Sequence, residues 1–361
     1  MKKVHINKTV TGDAYDIIVT EGFDSVAGEI SSLDHKPGAL ALVADSNVDA
    51  LYGDEVEKAL KVLNIPLYRF SFQAGEPNKT LDTVRSVLRF LIENHLDRKS
   101  MVIALGGGVT GDLVGFASSV FLRGIPFVQI PTSLLADTDS SIGGKTGVDF
   151  DEFKNMVGAF HMPGLVHINV DTLKTLNKRE FSSGMAEIIK HGLIQDRAYY
   201  EKLKSLSKEI LSGEGAVMMD IIHRSCEIKA GVVEEDPTEK GIRAILNFGH
   251  TLGHAIEKYK KFELTHGECV ALGSVAAAYI SFKRGYITQR ELEDIKEVFS
   301  MFSLPVRIGN IDINEIIRIT KSDKKMESGK IKFILLKSIG EAVIDKSVTD
   351  EEMAEALAYI G

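Results

Sequence analysis

Short apolar runs alternate with helical spacings through the first half of the chain. Runs at residues 15–20 (YDIIVT), 39–44 (ALALVA), 67–72 (LYRFSF), 101–105 (MVIAL) and 127–130 (FVQI) have the length and composition of strands. Between them, residues 48–64 and 80–95 repeat their apolar positions at helical spacing. Such alternation predicts βαβ units, hence a Rossmann-like, largely parallel sheet with helices on both faces. From about residue 181 the pattern changes. Amphipathic helical stretches follow at 183–194, 197–211, 216–235, 249–260, 267–284 and 289–302, with one β-like return at 331–336. The chain reads as an α/β domain over residues 1–180 and a mainly α-helical domain over 181–361, expected to pack with a cleft between them.

Composition changes this picture little. The 361 residues suffice for two packed cores, and 44% hydrophobic with 26% charged residues is ordinary for a globular protein. A formal charge of −8 speaks against a broad nucleic-acid surface. Two cysteines, Cys226 and Cys269, make no disulfide framework and suit a reducing compartment. The N-terminal lysines are not followed by an apolar run, and the apolar stretch at 270–282 is too short for a bilayer. A cytoplasmic, soluble protein with no membrane or nucleic-acid partner is the expectation.

Three stretches carry candidate chemistry. GGGVTG at 106–111 satisfies G-x-G-x-x-G, follows a strand and opens a helix at about 112–122. Glycines there let backbone N–H groups approach a pyrophosphate at the helix N-terminus. The acidic residue that a Rossmann site places about twenty positions on is missing, so a plain tight turn stays open, with Asp45 or Glu76 as substitutes to grip a ribose. Residues 131–149 gather Ser, Thr, Asp and Gly around Lys145; they read either as a surface loop with turn chemistry or as a functional loop. Residues 247–273 hold His250, His254 and His266 with Glu257, Glu263, Glu268 and Cys269. His250 and His254 stand four apart, so a helix sets both on one face as apparent co-ligands of a divalent metal; an ordinary polar face explains the spacing equally well. Glu187, Lys190 and His191 share another helix face, as a structural ion pair or as a ligand beside an anion-binding lysine. Cys226 reads as a small core residue, and Cys269 as a remote further ligand.

The motifs in their order resemble the 3-dehydroquinate synthases of the sugar phosphate cyclase superfamily. They are Gly75-Glu76-(x)2-Lys79, GGGVTGD at 106–112, FLRG around Arg123, IPTSLLADTDSSIGGKTGVD at 130–149 and KN at 154–155. GMAEIIKHG at 184–192, RAILNFGHTLGHAIE at 243–257, THGECVALG at 265–273 and SDKK at 322–325 complete them, so the likeness covers nearly the whole chain. It implies zinc, with cobalt as the alternative, on Glu187, His250 and His266, which moves His254 from the metal to the substrate. It implies NAD on Asp45, Glu76, Lys79, Gly107, Gly108, Val109, Asp112, Thr132, Ser133, Thr172 and Thr175, with Lys145 and Lys154 nearby. The implied substrate is 3-deoxy-D-arabino-heptulosonate 7-phosphate, a small sugar phosphate, bound by Asp139, Lys145, Asn155, Lys190, Lys229, Asn247, His254 and Lys325. Arg123, Lys154 and Arg243 complete its anion pocket, with Arg123 a candidate for donation across a homodimer interface. Lys145, Asn155, Lys190, Lys229, Asn247 and His254 are the implied catalytic set. The implied reaction is transient oxidation by NAD, β-elimination of phosphate, reduction, and an intramolecular aldol that yields 3-dehydroquinate. The rivals are another sugar phosphate cyclase and a glycerol-dehydrogenase-like oxidoreductase; Lys229, Arg243 and Asn247 favour an acidic substrate. Asn177 and Cys269 depart from the family pattern.

Overall fold

The computed structural model describes residues 1–7, 14–151, 153–322, 326–327 and 330–361, with only the backbone of residues 322, 326, 327 and 330. It divides into two compact units: Met1–Leu176 with Met218–Thr238, and Asn177–Val217 with Glu239–Gly361.

The first unit is built on strands β1 (Lys2–Ile6), β2 (Tyr15–Thr20), β3 (Leu40–Asp45), β4 (Leu67–Phe72), β5 (Met101–Gly106), β6 (Phe127–Pro131), β7 (Lys145–Phe150), β8 (Phe153–Phe160) and β9 (Leu165–Asn169). Seven of them form one sheet in the order β1-β2-β9-β6-β5-β3-β4. Every neighbouring pair in it is parallel except β1 with β2. The central strands are unbroken apolar runs because both faces are covered. Alternate residues serve opposite cores. Ala41, Val43, Val102 and Ala104 meet Val84, Val87 and Leu91 of the Leu81–Glu93 helix and Leu113, Val114 and Ala117 of the Gly108–Val120 helix. Leu40, Leu42, Ala44, Ile103 and Leu105 meet Val26 and Ile30 of one helix and Val56 and Leu60 of another.

Five strands lie where the apolar runs predict them. Strands β1, β7, β8 and β9 are missed; β7 and β8 form an antiparallel ribbon that begins inside the stretch that reads as a loop and runs past its end. Its signal is weak because Gly147 and Gly158 face one another: a Cβ on Gly158 would stand 2.2 Å from the Thr146 carbonyl oxygen. The glycines that permit this approach remove the alternation by which a strand is read. The Gly215–Glu235 helix is where it is expected, but a cut at residue 180 would assign it to the helical half. Its packing assigns Met218–Thr238 to the sheet unit, where Asp220 pairs with Lys2 and Glu234 accepts from the Asn7 amide at 2.6 Å.

In the second unit the His266–Lys283 helix is nearly all buried and packs against the Lys178–Gln195, His250–Tyr259, Gln289–Met301 and Asp350–Ile360 helices. Gly249, Gly253 and Gly273 make the crossing with the His250–Tyr259 helix possible, since a Cβ on Gly273 would stand 1.9 Å from the Gly249 carbonyl oxygen. A Phe333–Ser338/Glu341–Asp345 hairpin closes the unit. Among the described residues no helix is long and apolar enough to cross a membrane.

Candidate functional site

In the first unit, β3 continues outward to β4, whereas β5 returns on the other side of β3. This reversal is the topological switch point at which open α/β sheets bind ligands, beyond the carboxyl ends of the strands. Asp45 ends β3, and Gly106–Gly107–Gly108 link β5 to its helix. Asp45 caps the short turn behind it, taking hydrogen bonds from the Asn47 and Val48 amides, and its second oxygen accepts from Thr110 at 3.1 Å. The helix after β5 has glycine at its N-cap and no side-chain cap. A Cβ on Gly108 would stand 3.0 Å from Ser140 Oγ, and one on Gly107 3.3 Å from Ser133 Oγ, so the glycines leave an open cradle of backbone amides suited to an anion.

Beside it, Lys79 is buried, pairs with Asp112 at 2.6 Å and donates to Asn155 Oδ1 at 2.6 Å. Burial pushes the Asp112 carboxyl above its usual range, while Lys79 draws it back. Lys154 reaches Glu76 at 3.8 Å. Glu76, Lys79, Asp112, Lys154 and Asn155, scattered over eighty positions, are thus one cluster. Thr132 and Thr172 are buried near strand ends; the Thr172 carbonyl oxygen and Thr175 Oγ1 both bond the Tyr52 hydroxyl. Asn155 and Arg123 both hold positive φ, 54° and 70°.

The turn at Ala136–Ser140 is fastened to the Gly215–Glu235 helix at two points. Lys229 bonds the Asp139 carboxylate at 2.6 Å and its carbonyl oxygen, and one turn earlier the Cys226 thiol donates to the Asp137 carbonyl oxygen at 3.5 Å. Burial pushes the Cys226 thiol up, which keeps it an inert core residue. Asp137 is fully buried, and its carboxyl oxygens bond nothing among the described residues. Burial pushes its pKa well above the ordinary value. Its folded form therefore holds a proton that the unfolded chain releases, so stability is lost as pH rises from the unfolded value of about 4 through the raised folded one. Asp137→Asn should stabilise the protein at pH 8 by about 1–3 kcal/mol. The gain should shrink toward pH 4; equal melting temperatures for both proteins at pH 8 would contradict this account.

The second unit holds a cluster of side chains that could ligate a metal ion. Glu187 lies on the Lys178–Gln195 helix, His250 at the start of its helix and His266 at the start of the next. Glu187 is fully buried, and its Oε1 lies 3.4 Å from Nε2 of both His250 and His266. A tetrahedral ion with bonds of about 2.0–2.1 Å needs ligand atoms roughly 3.4 Å apart. Among the described residues neither Glu187 oxygen accepts a hydrogen bond of good geometry, although Lys190 pairs with the carboxylate. The three side chains therefore fit a divalent cation: a buried carboxylate faced by two imidazole nitrogens. Burial alone would push the Glu187 carboxyl up; Lys190, His250 and His266 together hold it well below the usual range. Burial likewise opposes protonation of His266, but Glu187 and Glu257 raise its pKa to about 9.

The close approach of two helices creates this cluster. Gly267, beside His266, packs on Ser183 so tightly that a Cβ would stand 2.1 Å from the Ser183 carbonyl oxygen, and its amide donates to Ser183 Oγ at 3.0 Å. Arg179 binds Glu268 through both carboxylate oxygens at 2.7 and 2.8 Å, inside the Thr265–Glu268 capping box. His254 stands with its ring 5.1 Å from that of His250, yet no ligating cluster among the described residues contains both. Cys269 is buried outside every such cluster. Lys190 is 1% exposed, and Arg243 is buried in the Ile242–Asn247 turn. Asn247 donates to Glu239 at 2.8 Å. Sequence reading missed Glu239; its only signal was an acid in EEDPTEKG near Arg243 and Asn247. Lys325 lies outside the described residues.

Two family models match the chain: 3-dehydroquinate synthase N-terminal over residues 69–183 and 3-dehydroquinate synthase C-terminal over 184–326. A 3-dehydroquinate synthase of Acetivibrio thermocellus is 44% identical over 360 residues, 99% of each chain. One of Symbiobacterium thermophilum is 46% identical over 312 residues, 86% of this chain and 87% of its own. Among solved structures, 2-epi-5-epi-valiolone synthase of Streptomyces hygroscopicus, with NAD+ and Zn2+ bound, is similar at TM-score 0.89 and 27% identity over 98% of each chain. An NADH-dependent butanol dehydrogenase of Thermotoga maritima shares the fold alone, at TM-score 0.68 and 14% identity over 99% of each chain. With both family models matched in succession and identity extending end to end, the chain belongs to the 3-dehydroquinate synthase family.

Proposed function

We propose that this protein converts 3-deoxy-D-arabino-heptulosonate 7-phosphate to 3-dehydroquinate and phosphate, a step of the shikimate pathway to aromatic amino acids. The observation that carries this reading is the 44% identity with a named synthase over 99% of both chains. It takes NAD, and a divalent ion on Glu187, His250 and His266, zinc or else cobalt. The first unit is the NAD-binding one and the second holds the metal. Asp45, Glu76, Lys79, Gly107, Gly108, Val109, Asp112, Thr132, Ser133, Thr172 and Thr175 are the proposed NAD residues.

When bound, the ion supplies polarisation of the substrate alcohol and NAD supplies a reversible hydride acceptor. The chain's own residues bind and orient. The phosphate and carboxylate of the substrate call for cations, and Lys145, Lys154, Lys190, Lys229 and Arg243 are the proposed ones. Asp139 and Asn155 orient hydroxyls, with Lys229 and Lys79 already holding them. Asn247, fixed by Glu239, and His254 handle protons at the reacting alcohol. NAD would be needed only in catalytic amount, so its stoichiometric consumption would mark a simple dehydrogenase instead.

Incubation with the heptulosonate phosphate, zinc and trace NAD is the test. Phosphate release in large molar excess over NAD, with dehydroquinate formed, is expected; no release rejects the reading. A second reading is that of another sugar phosphate cyclase, one acting on sedoheptulose 7-phosphate; the likeness to 2-epi-5-epi-valiolone synthase supports a cyclase other than a dehydroquinate synthase. Preference for that neutral-ended sugar over the acidic one would select it.

The protein works as a cytoplasmic homodimer in this reading. Phe153, Met156 and Phe160 of the β8 ribbon and Leu122 beside Arg123 are exposed apolar side chains of the kind a second copy would cover. Sedimentation equilibrium should give twice the protomer mass; a monomer at micromolar concentration rejects the dimer.

A further inference from the structure

His250, His254 and Glu257 follow one another along one face of the His250–Tyr259 helix, spaced four and three residues apart. The first is in the ligating cluster just described. The last has no assigned part. Glu257 is 7% exposed, an unusual place for a carboxylate without a task. Its Oε2 lies 3.8 Å from Nδ1 of His266, on the opposite side of the ring from Glu187, whose Oε1 is 3.4 Å from Nε2. His266 thus has one carboxylate facing each ring nitrogen.

The two nitrogens have different work. Nε2 must offer a lone pair to an ion, so the single proton of the neutral ring sits on Nδ1, facing Glu257. His250 solves the same problem with a weaker partner: its Nδ1 lies 3.1 Å from the Phe248 carbonyl oxygen, leaving its own Nε2 to face Glu187. A carboxylate behind a ligating imidazole fixes the tautomer and the ring plane, and makes the far nitrogen a stronger donor. His266 needs this most. It is the first residue of its helix and reaches the cluster from a different element than His250.

We propose that Glu257 is the positioning residue of His266, holding its proton on Nδ1 and its Nε2 toward the ion. This rests on the metal reading above. It excludes a separate cation on His254, Glu257 and His266, whose ligating atoms also lie within 4.8 Å of one another. Such an ion would need Nδ1 of His266 deprotonated while Nε2 serves the first.

The test uses full-length protein stripped by chelator and titrated with Co2+ by visible absorbance, then with Zn2+ against a competing chelator. Wild type should bind one ion per chain. Glu257→Gln should weaken binding about 10–100-fold, still at one ion per chain, with the melting temperature of the metal-free protein unchanged. In a His266→Ala background the same substitution should add no further loss. If Glu257→Gln does not fold, Glu257→Asp, which withdraws the carboxylate, should show an intermediate loss. Affinity within twofold of wild type in whichever variant folds overturns the proposal. So does an equal loss in the His266→Ala background, or a stoichiometry that falls from two ions to one. Wild type that takes up no ion at all instead removes the metal reading itself.

Discussion

Glu187→Gln is expected to abolish metal uptake and to lower phosphate release by about 10³-fold or more, roughly 4 kcal/mol of transition-state stabilisation. The substitution keeps the shape of the side chain and removes its charge. Glu187 is the anion that faces Nε2 of both imidazoles, and a neutral amide oxygen is a poor ligand for a divalent ion. A second consequence follows from Lys190. That ammonium is 1% exposed and paired with Glu187, so the Gln variant leaves a buried cation without its counter-charge. Breaking a buried pair from one side costs about 3–5 kcal/mol, and the melting temperature of the metal-free protein should fall accordingly. Removing both charges in Glu187→Gln/Lys190→Met should recover much of the stability and none of the metal binding. The two readouts separate the roles. A Gln variant that binds zinc within tenfold of wild type would refute the assignment of Glu187 as ligand.

Gly267→Ala is expected to act through the backbone. The added methyl would stand 2.1 Å from the Ser183 carbonyl oxygen and 2.5 Å from its Cα, atoms that no side-chain rotation can move. The His266 and Glu187 helices must separate. That overpacking should cost about 3 kcal/mol or more and should carry His266 away from Glu187, so metal affinity falls with stability. Gly231 supplies the control. It lies exposed within the Gly215–Glu235 helix with nothing within 4 Å of its would-be Cβ. Gly231→Ala should therefore stabilise by about 0.5–1 kcal/mol, the ordinary gain of alanine over glycine in a helix. Chemical denaturation of both variants beside Co2+ titration checks the contrast. Equal effects at the two positions would show that the close crossing does not govern the site.

Strands β3, β5 and β6 were legible because both faces of the sheet are buried, which makes them continuous apolar runs that only a covered strand can afford; β1 and β9 of the same sheet were missed. Most long helices of the second unit were legible from their apolar spacing. The β7–β8 ribbon was not, since Gly147 and Gly158 exchange side chains for backbone proximity. Nor was the allegiance of Met218–Thr238, because an amphipathic face does not say which core it meets.

The site shows the same division. The residue types of the chemistry can be read along the chain: a glycine turn after a strand, a cluster of histidines, and enough lysines for an acidic phosphate. Periodicity on one helix paired His250 with His254, because spacing reports only neighbours on the same element. The chain's order of motifs, matched to a family, replaced His254 with Glu187 and His266. Which atoms face each other appears only in the folded chain: Oε1 of Glu187 is equidistant from two Nε2 atoms, with Glu257 behind one ring and the Phe248 carbonyl behind the other. Those distances depend on how closely two helices pack, and that is set by glycines such as Gly267 and Gly273, whose effect resides in the backbone of a distant partner.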